Sequence, residues 1–293
     1  MVGFVQSADA RLHYLTWGTR GPAVILLPGY SLTAHVFDDI GPLLAPHARV
    51  IALTPRGFGE SEAPDGPNAS AYTIATLVAD LHVLMDSLRI ERAMLVGHSL
   101  SGAVVAAFAL RYPKRVTQLV LLDAHPYLRV VGGDTIMERD PVEPPPFHGD
   151  TTHDGVIAYL KRYRYIPWQA ALAADARAKP LGGEPERRRT LTSGYIADQW
   201  TSPPELRSLT VPALQLCAMP TVSSEYPWLT HADTAFSSAA RYVERELRPL
   251  QRRLCAYFAK TVPRGRTRDV AGSHYVFFTE PGLTARIVRA ALH

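Results

Sequence analysis

Ser99 sits in Leu95-Val96-Gly97-His98-Ser99-Leu100-Ser101-Gly102, between an apolar run ending at Val96 and an unbroken apolar stretch from Ala103 to Leu110. That order reads as strand, sharp turn and helix. A serine at the tip of such a turn is held in a strained backbone conformation that small neighbours permit, and its hydroxyl projects from the sheet edge. The next helix aims N–H groups and a positive dipole end at the same place, which suits a developing oxyanion. Ser101 stands where a glycine usually closes this pattern, and serine is small enough to serve. The chemistry implied is nucleophilic. A hydroxyl is a poor nucleophile near neutral pH, so it needs a base within hydrogen-bond reach, and the base needs a carboxylate that fixes its tautomer. Of the eleven histidines, His274 alone follows a late strand, stands in a Gly-Ser-His turn and precedes a C-terminal helix, which makes it the expected base.

Two positions compete for the carboxylate. Asp123 directly follows the apolar run Val116 to Leu122, at the carboxyl edge of a strand close to the nucleophile strand. The loop after the run Val211 to Cys217 begins Met219-Pro220-Thr221-Val222 and carries no carboxylate before Glu225 and Asp233. Asp123 is favoured over Glu225 on geometry, although an aspartate after a strand is also a frequent loop cap. The oxyanion would be held by the backbone N–H groups of Leu100, directly after the nucleophile, and of Tyr30, in the Pro28-Gly29-Tyr30 turn after an early strand. The turn is expected to direct His98 away from the site. His125 reads as a pocket or structural residue, and the remaining histidines, His13 among them, as surface or loop residues.

The elements that must position these groups are legible from hydrophobic patterning. Ala23 to Leu27, Arg49 to Leu53, Ala93 to Val96, Val116 to Leu122 and Val211 to Cys217 are continuous apolar runs, as expected of strands covered on both faces. Arg11 to Trp17 alternates as a strand, and Arg266 to Val270 is a weaker, more polar one suited to a sheet edge. Ile74, Leu77, Val78, Leu81, Leu84, Met85 and Leu88 repeat at helical spacing. Ser237 to Lys260 reads as a helix that Pro249 should kink or divide, and Pro281 opens a closing helix. Strands alternating with helices imply an α/β fold with a mostly parallel, doubly wound sheet. The rhythm breaks between Asp123 and Val211, where prolines and three helical stretches suggest an inserted helical cap. The expected division is therefore a core of residues 1–125 and 206–293 with a cap over 126–205. Cap aromatics such as Tyr159, Tyr163, Trp168 and Trp200 are candidates either to line an apolar pocket or to pack the cap onto the core.

Composition narrows the function classes. With 47% hydrophobic and 20% charged residues, the chain reads as a soluble globular enzyme. The net charge of +4 comes from scattered basic residues, without the aromatic-interleaved stripe that would point to nucleic acid. No stretch approaches the length of a membrane span, and the N-terminus lacks the basic start and apolar run of a signal peptide, so the expected location is cytoplasmic. Two cysteines, Cys217 and Cys255, make no disulfide framework, and Cys217 reads as a small buried residue. No Cys/His spacing resembles a zinc site. No metal or cofactor is expected, the expected partner is a small-molecule ester or lactone, and the oligomeric state is left open.

Four loops together resemble the α/β-hydrolase superfamily over nearly the whole chain: Pro28-Gly29-Tyr30, with proline in place of the usual histidine; Arg56-Gly57-Phe58-Gly59-Glu60-Ser61; Gly97-His98-Ser99-Leu100-Ser101-Gly102; and Gly272-Ser273-His274-Tyr275. The resemblance implies that fold and a nucleophile, acid and base in the order Ser99, Asp123, His274. Leu122-Asp123-Ala124, Tyr226-Pro227-Trp228 and Ser273-His274-Tyr275-Val276-Phe277 look more narrowly like a bacterial esterase-like subgroup with its acid on the earlier strand, and some macrolide esterases look similar. Dehalogenases and epoxide hydrolases of this fold use an aspartate nucleophile, where this chain has Ser99. The resemblance thus implies ester or lactone hydrolysis through an acyl-enzyme. Carbon–carbon or amide bond hydrolysis, perhydrolysis and a ligand-binding receptor with a residual triad remain open, since fold alone does not choose among them.

Overall fold

The apolar runs form the interior of one eight-stranded sheet in the computed structural model, which describes residues 1–30, 32–64, 69–133, 136, 139–142 and 204–292. The strands are β1 (Val2–Ser7), β2 (Ala10–Trp17), β3 (Ala23–Leu27), β4 (Arg49–Leu53), β5 (Ala93–His98), β6 (Val116–Leu122), β7 (Ala213–Met219) and β8 (Gly265–Ala271). Their order across the sheet is β1-β2-β4-β3-β5-β6-β7-β8. β1 and β2 pair antiparallel and β2 lies antiparallel to β4, while every pair from β4 to β8 is parallel. Patterning missed β1, a half-exposed edge strand whose apolar residues are too few to stand out. β8 lies at the opposite edge with Arg266, Arg268 and Asp269 exposed, and such charges discourage edge-to-edge pairing.

Strand side chains alternate between two cores, as the period of two requires. Ile25, Leu27, Leu95, Leu119 and Leu121 point to one face, packed with Leu81 and Leu84 of α2 (Ile74–Ser87) and with Val105 and Phe108 of α3 (Ser101–Arg111). Val24, Leu26, Val96, Val120 and Leu122 point to the other face. There they meet Ile40 and Leu44 of the short α1 (Ile40–Leu44), Phe277, and Val288 of α6 (Pro281–Ala290). Each such fully buried aliphatic side chain contributes about 1.5–3 kcal/mol. α2 starts where Thr73 accepts a hydrogen bond from the N–H of Thr76 at 3.3 Å.

The helix expected over Ser237 to Lys260 is divided just before Pro249, as its proline implies. α4 (Phe236–Tyr242) runs into a five-residue π-helical segment, Val243–Leu247, and α5 (Arg248–Thr261) comes next with Pro249 in its first turn. The wider π segment accommodates the proline, which has no N–H to give to the preceding turn.

Two expectations need correction. Cys217 is buried as expected, but it is disulfide-bonded to Cys255 of α5. The residues are 38 apart in sequence, and only the packing of α5 against β7 brings them together. His13 is not a surface residue either: it is 1% exposed on β2 and its Nδ1 lies 2.8 Å from the Thr54 hydroxyl. The expected cap falls largely outside the described residues, as do its aromatics Tyr159, Tyr163, Trp168 and Trp200. Among the described residues no helix is long and apolar enough to cross a membrane.

Candidate active site

Every expected site residue sits at the carboxyl end of a parallel strand, where open α/β sheets leave room for a ligand. β5 delivers Ser99, β6 delivers Asp123, β8 leads into His274, and β3 ends at the turn containing Tyr30. In-register pairing of His98 with Leu122 and of Ala218 with Val270 keeps these ends level.

Ser99 has φ of +51°, the strained conformation expected of it. Its N–H donates to the carbonyl of Leu122 at 3.3 Å, and the N–H of Gly102 returns to its carbonyl at 3.0 Å, opening α3. The neighbours must be small: a Cβ on Gly97 would come 2.7 Å from the Ser101 carbonyl oxygen, and one on Gly102 would overlap the side chain of Ala124. Ser101 does more than replace a glycine, because its hydroxyl donates to the carbonyl of Pro28 and ties the turn to the Tyr30 loop.

Asp123 is 1% exposed and also has positive φ, +45°. Aspartate tolerates this region better than most residues. Its Oδ2 lies 2.8 Å from His274 Nδ1. Its Oδ1 accepts from the Ala218 N–H at 3.0 Å, at the end of β7, and lies 3.2 Å from His125 Nε2. The amide of Gln251, on α5, reaches Oδ2 at 3.5 Å. Burial by itself would raise the carboxyl's pKa, but the hydrogen bonds from His125 and His274 outweigh it and hold Asp123 well below the usual carboxylate range. Glu225 lies in the same cavity, and among the described residues its carboxylate accepts from the Ser224 hydroxyl at 3.3 Å. Burial first, and then the charge of Asp123, push its pKa up to about 7. The structure therefore sets Asp123, and not Glu225, on the ring of His274.

His98 is directed out of the cavity, as expected, but keeps contact with the site. Its ring centroid lies 4.6 Å from that of His274. Nδ1 accepts from the Gly29 N–H at 3.2 Å, so the ring proton rests on Nε2, which donates to the His274 carbonyl at 3.2 Å. Burial and the neighbouring His274 lower its pKa well below the ordinary histidine value, consistent with this neutral tautomer. One neutral ring thus joins the Tyr30 loop to the His274 loop. The signal for it in the sequence was Gly29, where a Cβ would approach His98 Nδ1 to 2.8 Å and Ser99 Cβ to 2.9 Å.

Ser99, Leu100, Tyr30, Asp123, Glu225 and His274 share one cavity of about 480 Å³. Its remaining wall is mostly apolar, including Leu250 and Leu254 of α5 and Tyr127 after β6. Among the described residues no group of three or more His, Cys, Asp or Glu side chains could hold a metal ion. The arrangement places a serine hydroxyl and an aspartate-bound imidazole together in one largely apolar pocket.

Comparison with known proteins agrees with this architecture. The sequence model of the α/β-hydrolase fold matches residues 22–164. A candidate 2-succinyl-6-hydroxy-2,4-cyclohexadiene-1-carboxylate synthase of Bacillus subtilis is 28% identical over 205 residues, covering 67% of this chain and 72% of that protein. A 2-hydroxy-6-oxo-2,4-heptadienoate hydrolase of Pseudomonas putida is 38% identical over 110 residues, a match that spans only 36% of this chain and 38% of the relative. Among solved structures, the enol-lactonase of Burkholderia xenovorans superimposes with a TM-score of 0.64 at 20% identity, with 99% of each chain covered. At that identity the likeness speaks to fold alone. By sheet topology, strand-end geometry and these matches, the chain has the α/β-hydrolase fold.

Proposed function

We propose that this protein is a serine hydrolase that cleaves a carboxylic ester or lactone through an acyl-enzyme, with Ser99 as nucleophile, His274 as base and Asp123 as acid. The observation that carries the reading is the 2.8 Å contact between Asp123 Oδ2 and His274 Nδ1, made by a fully buried carboxylate. With Nδ1 so engaged, Nε2 is the nitrogen left to take the Ser99 proton as the hydroxyl attacks the substrate carbonyl. The backbone N–H groups of Tyr30 and Leu100 receive the oxyanion. The imidazolium, stabilised by Asp123, then protonates the leaving alcohol, and the neutral ring activates the water that releases the acid. The apolar cavity wall favours an uncharged acyl group over an ionic one.

On p-nitrophenyl butyrate, Ser99→Ala should abolish acyl-enzyme turnover, and Asp123→Asn should lower kcat about 10⁴-fold by leaving His274 in the wrong tautomer. Full retention of activity by Ser99→Ala overturns the reading. A second reading is favoured by the match to the Pseudomonas putida hydrolase, which is named for a dienoate substrate rather than an ester. Carbon–carbon bond cleavage would use the same residues, and it shows itself as turnover of a vinylogous diketone without turnover of short or long esters or lactones.

A further inference from the structure

We infer that His125 is a positioning residue that shares the charge of the Asp123 carboxylate with His274, drawing it partly away from the His274 ring by donating to the second oxygen. The inference rests on the proposed Ser99–His274–Asp123 chemistry and adds a residue that the chemistry does not itself require. A buried carboxylate has acceptor capacity on both oxygens, and each one left unfilled is costly. Here Oδ2 faces His274 and Gln251, while Oδ1 is filled by the Ala218 N–H and by His125 Nε2. On Oδ1 the donors are a rigid main-chain group from β7 and a side chain with only 7% exposure, which leaves the carboxylate little freedom to rotate about its χ2.

The His125 ring is itself held at its far end. Nδ1 lies 3.3 Å from the Tyr127 hydroxyl, with the two rings edge-on at 75°. Tyr127 is buried against Tyr257 and Phe258 of α5. Burial, and after it the charge of Asp123, pushes the Tyr127 hydroxyl above the usual tyrosine range, so it remains a donor. A neutral His125 with its proton on Nε2 satisfies both contacts at once: Tyr127 O–H donates to Nδ1, and Nε2–H donates to Asp123. The result is a relay of fixed hydrogen bonds from Tyr127 through His125 and Asp123 to His274.

The titratable groups facing this relay come from every neighbouring element. His98 from β5 and Tyr275 from the base loop pack on His274; Glu225 and Arg129 line the cavity; Tyr127 lies just after β6 and Tyr257 lies on α5. The Asp123 carboxylate takes its side-chain hydrogen bonds from His125 and His274, together with the uncharged Gln251. Removing the His125 donor leaves the carboxylate less well satisfied and therefore more basic. It then stabilises the protonated His274 more strongly, and His274 releases its proton at higher pH.

The test is an NMR pH titration of the His274 ring in the full chain, comparing wild type with His125→Phe and His125→Gln, since glutamine can place an N–H where Nε2 stood. His125→Phe is expected to move the His274 midpoint up by about half a unit, for loss of one charge-assisted hydrogen bond partly shared by Ala218. His125→Gln should return it close to wild type. His125→Leu provides the same loss with a smaller side chain if the phenylalanine variant does not fold. An unmoved midpoint in a folded Phe or Leu variant, or equal shifts in the Phe and Gln variants, overturns the inference. Labelling of wild-type Ser99 by a fluorophosphonate reports separately on the proposed hydrolase chemistry, so failure of that reading is distinguishable from failure of this one.

Discussion

Two of the four non-glycine residues with positive φ are Ser99 and Asp123, so among the described residues the candidate site concentrates backbone strain at the proposed nucleophile and the proposed acid. Such conformations cost about 1–3 kcal/mol each and persist where the surroundings over-determine them. At Asp123 the surroundings are the donors on both carboxylate oxygens. Glu225, in the same cavity, shows the opposite electrostatics: buried beside an ionised Asp123, its carboxyl is pushed up to about 7. Linkage gives the sign. A raised acid pKa means the folded state binds more protons than the unfolded one, so stability declines as pH rises from the unfolded value of about 4 towards 7. Glu225→Gln should therefore gain little at pH 5 and raise Tm by about 2 °C or more at pH 8, measured by thermal denaturation across that range. Because its carboxylate bonds Ser224 and not His274, the same variant should keep ester turnover within about threefold at pH 8.

At the scale of elements, β7 and α5 support the Asp123 carboxylate. Ala218 at the end of β7 and Gln251 on α5 both donate to Asp123, and the Cys217–Cys255 disulfide joins the same two elements one residue before Ala218 and four after Gln251. α5 also carries Leu250 and Leu254 into the cavity wall. A cross-link closing a loop of this size contributes about 3–4 kcal/mol in the chain-entropy account. Cys217→Ala/Cys255→Ala is expected to lower the urea midpoint, with a steeper dependence on denaturant because the unfolded chain is no longer cross-linked. It should also raise the rate of proteolysis within α5, since the cradle of Asp123 loses its covalent tie. Equal midpoints for the oxidised wild type and the double variant would remove the disulfide from the account of stability.

For the molecule as a whole, the sheet separates two cores, and buried polar contacts fasten the loops that cross it. Arg56, 1% exposed in the loop after β4, bonds both oxygens of Asp80 on α2 at 2.7 and 2.6 Å and reaches Asp9 at 2.9 Å. Ser7 of β1 donates to Asp80 at 2.6 Å, so one cluster ties the first strand, the loop and α2 together. Burial alone would lower the pKa of Arg56, but Asp80 and Asp9 hold it above its usual value. Asp80→Ala leaves that guanidinium buried and without its main partner and should cost about 3–5 kcal/mol in urea denaturation, with kcat per folded molecule preserved because the cluster lies outside the cavity. By itself the sequence determined the alternating strands and helices, the Ser99 turn, the candidacy of His274 and Asp123, and the edge character of β8. Each of these is a local signal, written in periodicity, in small residues at a tight turn, or in the residue type at a strand's carboxyl end. Tertiary structure alone decided which carboxylate meets His274, that His98 links two loops, that His125 shares Asp123, and that the two cysteines are bonded. Those pairings join residues brought together from separate elements, and their geometry exists only once parallel strands are in register and helices are packed against the sheet.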